Sequence, residues 1–343
     1  MNLFGKNLDE EVAVIAEIGV NHEGSLSKAL ELIEYAKASG ADAVKFQSYT
    51  PERYVSSVPK ERMDRIRKFS LSLEDHIRCF NMCREIGVEF ISTPLSEDWV
   101  EKLEPYVSTY KIASGDITFK QVIQACAKTG KNIILSTGAS NIQEISSALN
   151  WISEVIGKDH LKERIVVAHC VSSYPTPINQ ANINSVRYLK EKFGLYTGYS
   201  NHVIEPEASL AAVALGARLI EVHFTDNKQG RGFRDHQLSF EPKGLKSLID
   251  SIKIINKSLG SENKEIQPCE SDMRSSIRKG IIYSRDLDSD VCIKSDDLMF
   301  ARPERFIPAS EANSLIGRKL TKSAKKGEPV NYNQLYVNAD KTI

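Results

Sequence analysis

Eight short apolar runs recur along the first 225 residues. They are VAVIAEIG (12–19), ADAVKFQ (41–47), VEFISTP (88–94), TYKIASG (109–115), NIILSTG (132–138), IVVAHCV (165–171), YTGYSNH (196–202) and LIEVHFT (219–225). Several are rich in β-branched residues and continuous rather than alternating, the pattern of strands covered on both faces. Amphipathic stretches lie between them. In 25–39, Leu26, Leu30, Ile33 and Ala36 share one helical face, and Gly40 stops the helix. The 72–86 stretch opens on Ser72 with Asp75 three residues on, close to a capping box. Helices are also predicted over 141–156, 180–192, 206–215 and 242–258, with a shorter one over 96–104. Eight strands alternating with helices predict an α/β fold of the (β/α)8 TIM-barrel type rather than a doubly wound sheet.

The texture changes after the last of these helices. Residues 260–276 are polar and aperiodic and read as a linker after a barrel domain spanning 1–259. Residues 277–337 show short strand patterns broken by Gly, Asp and Lys-Lys-Gly turns, which predicts a compact β-rich domain. The last residues, 337–343, read as a frayed end. One further segment, 48–71, is basic, carrying Arg53, Lys60, Arg62, Arg65, Arg67 and Lys68. It reads either as a solvated loop with a short surface helix or as a cover over the site that helps hold an anion.

Composition narrows the classes. The 343 residues are 41% hydrophobic and 26% charged, which excludes a disordered chain or a fibrous rod. Lys+Arg and Asp+Glu are both 45, and this absence of a basic excess argues against general nucleic-acid binding. None of the six cysteines forms a CxxC pair, so no disulfide framework is expected. Cys79 and Cys83 read as small buried hydrophobes on a helix. No signal-peptide pattern and no run of 18 apolar residues is present, so a reduced cytoplasmic protein with no membrane contact is expected.

In a barrel enzyme, chemistry gathers at the C-terminal ends of the strands. Here almost every run turns polar at its exit. The exits carry Glu17, then Lys45 and Gln47, Ser92 and Thr93, Lys111 with Ser114 and Asp116, and Ser136-Thr137-Gly138. They continue with His169, Cys170 and Tyr174, then Ser200, Asn201 and His202, then Glu221 and His223. His202 and His223 end neighbouring strands, so their imidazoles suit a divalent metal, with Glu17 and Asp235 as carboxylate or water-linked partners. His76 and His160 read as surface residues. An inward lysine in an apolar barrel is costly unless paired. Lys45 and Lys111 therefore read either as a Schiff-base lysine or as paired cations for a phosphate or carboxylate. Ser114, Ser136 and the Ser-Thr-Gly turn favour the anion site.

These residues fall in the motifs AEIGVNHEGS (16–25), VKFQ (44–47), ISTP (91–94), YKIASGD (110–116), ILSTG (134–138), AHCVSSYPTP (168–177), GYSNH (198–202) and EVHFTD (221–226). In that order the chain resembles the sialic acid synthase family, the N-acetylneuraminate, legionaminate and pseudaminate synthases, over about residues 10 to 335. The resemblance implies a metal-assisted condensation of phosphoenolpyruvate with an N-acylated mannosamine-type sugar, giving a nine-carbon 2-keto sugar acid and phosphate. It implies Mn²⁺, or Mg²⁺ or Co²⁺, on His202 and His223, and Glu17 handling a water or a proton. It implies Lys45, Lys111, Ser114 and Ser136 on phosphoenolpyruvate, with Thr93 among the substrate-binding residues. Gln47, Tyr174, Ser200 and Asp235 would face the sugar or metal side. The C-terminal segment looks like the family's antifreeze-like (SAF) domain, whose arginine matches Arg302, and a domain-swapped homodimer is implied. Readings outside this family are a pyruvate aldolase and a non-catalytic sugar-binding barrel.

The chain departs from the family at Asn201, where many members have Asp. It departs again at Ser172, where neuraminate-forming members have Asn, and in GRGFRDHQLSFEP (230–242), with Arg231, Arg234 and His236. All three departures fall on the expected sugar side.

Overall fold

The computed structural model describes residues 1–56 and 59–336. The expected frayed end at 337–343, the last residue of the predicted 277–337 domain, and Ser57 and Val58 of the basic segment lie outside them. The chain divides into two compact units, Met1–Gly260 and Ser261–Ile343.

The first unit opens with a hairpin of β1 (Asn2–Leu3) and β2 (Lys6–Asn7). Eight parallel strands follow: β3 (Ala13–Gly19), β4 (Ala43–Ser48), β5 (Glu89–Pro94), β6 (Thr109–Ile112), β7 (Asn132–Ser136), β8 (Ile165–Cys170), β9 (Tyr196–Asn201) and β10 (Leu219–His223). Each pairs with the next, and β10 closes on β3 with His223 opposite Glu17. This is a closed (β/α)8 barrel, and each predicted apolar run supplies one strand.

Pleating sorts the side chains into two cores. On β3, Val14, Ala16 and Ile18 point outward into the main core beneath the helices. Ala13 and Ile15 point inward, where they join Ala43, Ile91, Ile134, Val166, Ala168 and Leu219. The inner core is therefore apolar at the N-terminal end of the barrel and gives way to Glu17, Lys45, Lys111 and Glu221 at the other end. Leu3 and Leu8 of the opening hairpin close the apolar end, both essentially unexposed.

Among the first unit's described helices of eight or more residues, one was not predicted. Ser72 and Asp75 form a complete capping box at the start of the Leu73–Ile86 helix. The helix Lys120–Lys128 was not predicted. Its buried Val122, Ile123, Cys126 and Ala127 occupy barely two turns, and Phe119 in the N-cap position offers no capping side chain. His76, expected at the surface, is buried instead. It shares the stripe of Cys79 and Cys83, donates from Nδ1 to the Ser72 carbonyl at 2.8 Å, and packs against Phe46 and Trp99. A helical spacing of three and four places it with the apolar residues, whatever its polarity. Both cysteines are buried as expected.

The basic segment holds the helices Pro51–Tyr54 and Lys60–Phe69. Ile66 is buried with Val20, Tyr49 and Leu95 in a small core of its own, flanked by Phe69 and Phe233. In the second unit, β11 (Gly280–Tyr283) pairs antiparallel with β12 (Leu298–Ala301) around a core that includes Ile281, Tyr283, Ile293, Leu315 and Leu320. The rest of its ladder consists of isolated bridges. A helix, Ser271–Ile277, occupies part of the stretch read as a linker. Among the described residues no helix is long and apolar enough to cross a membrane.

The hairpin plug gives a first test. Replacing a fully buried leucine by alanine removes transfer energy and leaves a cavity. Leu8→Ala is expected to lower unfolding free energy by about 2–4 kcal/mol in urea titrations. A loss below about 1 kcal/mol would show that the hairpin is not part of the barrel core.

Candidate active site

The polar exits meet in one cavity of about 1190 Å³ at the C-terminal mouth of the barrel. The twelve barrel residues singled out from the sequence as catalytic or substrate-binding all line it. Arg302 belongs to the second unit and is exposed there, just after β12.

The floor is a quartet of buried charges. Lys45 Nζ lies 2.8 Å from Glu17 Oε2, donates to Thr93 Oγ1 at 3.1 Å and stands 3.7 Å from Glu221 Oε1. Lys111 Nζ donates to Glu221 Oε2 at 2.6 Å. Gln47 Nε2 donates to Glu17 Oε1 at 3.3 Å, and Ser200 Oγ to Glu221 Oε1 at 2.9 Å. Two lysines thus face two carboxylates, which lowers the cost of burying each charge. Burial, together with Glu221, raises the Glu17 carboxyl against the pull of Lys45. Burial works against the Lys45 ammonium, but Glu17 and Glu221 outweigh it and raise its value. Lys111 is lowered, because burial and Lys45 outweigh Glu221.

One turn of the pleat above Glu221 stands His223. Its ring centroid is 5.3 Å from that of His202, and Tyr174 lies against both rings, at 4.0 Å from His202 and 5.9 Å from His223. His202 Nδ1 is 2.7 Å from the Val171 carbonyl, which assigns its proton to that nitrogen and leaves Nε2 as a lone-pair donor. His223 Nδ1 is buried and has no hydrogen-bond partner. Burial holds its ring down at about 3, so it is neutral. The neutral His223 ring, with its orphaned nitrogen, and the neighbouring His202 ring, whose value Cys170 and the Val171 carbonyl raise against burial, fit a divalent cation that would displace a proton from His202. Among the described residues no group of three or more His, Cys, Asp or Glu side chains is gathered as a metal shell, so water or substrate oxygens would have to complete it.

The wall beside the lysines comes from the turn after β7. Ser114 Oγ accepts from Gly138 N at 2.9 Å, so that amide is already engaged. A Cβ at Gly138 would sit 2.3 Å from Ser172 Oγ and 2.8 Å from Ser114 Oγ, so only glycine fits. Ser136 is buried at the same wall.

The roof is built from the segments that follow the strands, including short helices. Tyr54, Arg62 and Arg65 of the basic segment line the cavity, which supports its reading as a cover. Arg65 stands 5.9 Å over the Phe233 ring, Phe69 meets Phe233 edge-on at 5.3 Å, and Arg234 lies 4.6 Å over Tyr174. Arg234 Nε also donates to Asp235 at 3.2 Å. Arg53 is held by Glu97 and Asp98.

The family departures separate here. Asn201 is buried in its own turn: Oδ1 accepts from Tyr199 OH and Val203 N, and Nδ2 donates to the Val203 carbonyl. Arg231 pairs with Glu23 and Asp226, and His236 is enclosed between Thr225 and Glu23. Of the departures, Ser172 and Arg234 reach the cavity, together with Gly232, Phe233 and Asp235 of the 230–242 segment, whereas Asn201, Arg231 and His236 do not line it.

Two acidic residues that line the cavity, Glu221 and Asp116, were given no role by the sequence. Glu221 is the link between the lysines. Asp116 has a buried Oδ2 without a partner, and burial raises its carboxyl to about 6. Both lay in the row of polar exits, which was the signal for them.

Asp116 yields a signed prediction. Its folded-state value lies above the unfolded 3.8, so the folded protein binds the proton more tightly. The ionised carboxyl therefore destabilises the fold above about 6, and this penalty fades as pH falls toward 3.8. Asp116→Asn is expected to stabilise the protein by about 2 kcal/mol at neutral pH. The gain should shrink to a few tenths at acid pH in paired thermal melts. Equal gains at both pH values would assign the effect elsewhere.

Comparison with known proteins fits this site. The NeuB family profile matches residues 32–264. The chain is 37% identical over 327 residues to an uncharacterized protein of Methanocaldococcus jannaschii, covering 95% of each. It is 35% identical over 333 residues to the N,N'-diacetyllegionaminic acid synthase of Campylobacter jejuni, covering 93% of this chain and 98% of the other. The crystal structure of N-acetylneuraminic acid (sialic acid) synthetase from Leptospira borgpetersenii, in complex with citrate, superimposes with a TM-score of 0.72 at 32% identity. That alignment covers 76% of this chain and 90% of that one.

Proposed function

The chain belongs to the NeuB family, and from that premise we propose that it is a nonulosonate synthase, condensing phosphoenolpyruvate with an N-acylated mannosamine-type sugar. The observation that carries this reading is the vertical order of the cavity. A floor with two buried lysines lies below a pair of imidazoles, and a roof with room for a sugar, built from the segments that follow the strands, lies above both.

The floor suits the enolpyruvyl substrate. Lys45 and Lys111 offer charge-assisted donors to its carboxylate and phosphate, with Ser114, Ser136 and Thr93 adding hydroxyls. Lys45 is held as an ammonium by Glu17 and Glu221, and Lys111 is paired with Glu221, an arrangement that favours anion binding over Schiff-base chemistry. His202 and His223 would hold a divalent cation, Mn²⁺ first and Mg²⁺ or Co²⁺ as alternatives, whose chemistry is to polarise an aldehyde oxygen. C3 of phosphoenolpyruvate bonds to the sugar aldehyde carbon, water adds at C2, and the C2–O bond breaks to release inorganic phosphate. Glu17, with its raised carboxyl value, positions the attacking water and takes up its proton. Gln47, Tyr174, Ser200 and Asp235 orient the reactants at the level where floor meets roof. The second unit acts as the antifreeze-like (SAF) domain of a domain-swapped homodimer, with Arg302 completing the sugar site of the other copy. The enzyme works in the cytoplasm.

The test is phosphate release from phosphoenolpyruvate and Mn²⁺ with N-acetylmannosamine and with the diacetamido-trideoxy hexoses that lead to legionaminate and pseudaminate. Release with one acceptor and a matching 2-keto acid product is expected. His223→Ala should reduce it to background, and metal-independent turnover by that variant would overturn the metal assignment. Arg302→Ala should cost about 100-fold or more in kcat while leaving the melting temperature unchanged. Full activity in that variant would remove Arg302 from the site.

A further inference from the structure

The reading above gives Glu221 no contact with either substrate, yet among the described residues it is the one carboxylate within ion-pair distance of both lysines. It is buried on β10, and its two oxygens are divided between the lysines. Oε2 accepts from Lys111 at 2.6 Å, while Oε1 accepts from Ser200 at 2.9 Å and lies 3.7 Å from Lys45.

The two lysines are not equally supported. Lys45 has Glu17 and Thr93 besides Glu221. Among the described residues Lys111 has Glu221 as its sole ion-pair partner. Without that carboxylate, Lys111 would be an uncompensated ammonium in a nearly closed site, repelled by Lys45. The carboxylate is itself rigidly placed. Glu221 and Ser200 are register partners on adjacent strands, so the hydroxyl fixes the rotation that aims Oε2 at Lys111.

We propose that Glu221 is a positioning residue for anion binding: its carboxylate bridges Lys45 and Lys111 and sets the spacing at which the two ammoniums receive one phosphoenolpyruvate. This rests on reading the lysine pair as the phosphoenolpyruvate site. It assigns Ser200 a second task, orienting Glu221 rather than only facing a ligand. Glu221 acts through the lysines and takes no part in bond making.

The experiment is a calorimetric titration of phosphoenolpyruvate, and of inorganic phosphate as a smaller probe, into the full-length wild type, Glu221→Gln and Glu221→Asp. Melting temperatures of all three are measured in parallel. Glu221→Gln keeps the shape and loses the charge. It is expected to bind phosphoenolpyruvate at least about 10-fold more weakly, with KM for the acceptor sugar unchanged. Glu221→Asp restores the charge and should recover part of the affinity. A folded Glu221→Gln that binds phosphoenolpyruvate as tightly as wild type, or more tightly, overturns the inference, because the carboxylate would then be a spectator or a competitor. Should Glu221→Gln fail to fold, Glu221→Asp decides: a few-fold loss of affinity supports the inference and unchanged affinity overturns it. A wild type that binds neither phosphoenolpyruvate nor phosphate overturns the reading of the lysine pair, and the inference with it.

Discussion

Four buried charges inside a parallel barrel set the terms for everything else in this fold. Lys45, Lys111, Glu17 and Glu221 occupy the inner layer where an ordinary barrel would place aliphatic side chains. Each alone would cost several kcal/mol to bury, so none is independent of the others. Compensation needs their oxygens and nitrogens within about 3 Å, and only a rigid strand register delivers that. The register is delivered by apolar residues above and below. The outward face of each strand locks to the helices, and the hairpin leucines close the barrel's far end. Stability is invested in the walls so that the floor can remain charged.

Most of this architecture was legible because it repeats. Eight β-branched runs and their helical partners announce a barrel, and the polarity at each exit announces where its chemistry lies. Helix Lys120–Lys128 was not legible, since two turns of apolar spacing without a capping residue do not stand out from a loop. His76 was misplaced because residue type was weighed above position; its spacing from Cys79 and Cys83 already put it inward. Single residues at the exits were found as a set but not ranked. Lys45 and Lys111 attracted notice as buried cations, whereas Glu221 is identified as their link only by distances between strands that are remote in sequence. The departure at Asn201 looked chemical in the sequence and is conformational in the structure, since all its hydrogen bonds stay within its own turn.

Floor and roof differ in how they are made, and this bears on how related enzymes take different sugars. The floor residues sit on strands whose register is common to the whole barrel, so changing one disturbs the rest. The roof residues sit on the segments that follow the strands, among them the helices of the basic segment, the helix Arg234–Leu238 and the turns at Asp116 and Ser172, with Val20, Tyr49, Ile66 and Leu95 forming a small separate core. Connecting segments of this kind tolerate substitution that strands do not. Relatives named for different sugar acids, legionaminic in one case and neuraminic in another, are similar to this chain over most of its length. On the proposed reaction, a strand-built floor would serve the constant enolpyruvyl half and the roof would set the acceptor. In this chain the roof brings together Tyr54, Arg62, Arg65, Asp116, Ser172 and Arg234. The phenol of Tyr54 stands in the field of Arg62, Asp116, Arg234 and Asp235, so charges from three separate segments converge where the far end of a sugar would rest. Selectivity then depends on hydrogen-bond partners for these groups. An acceptor that leaves the buried Asp116 oxygen or the Arg234 guanidinium unmatched loses affinity through desolvation alone, without any steric clash.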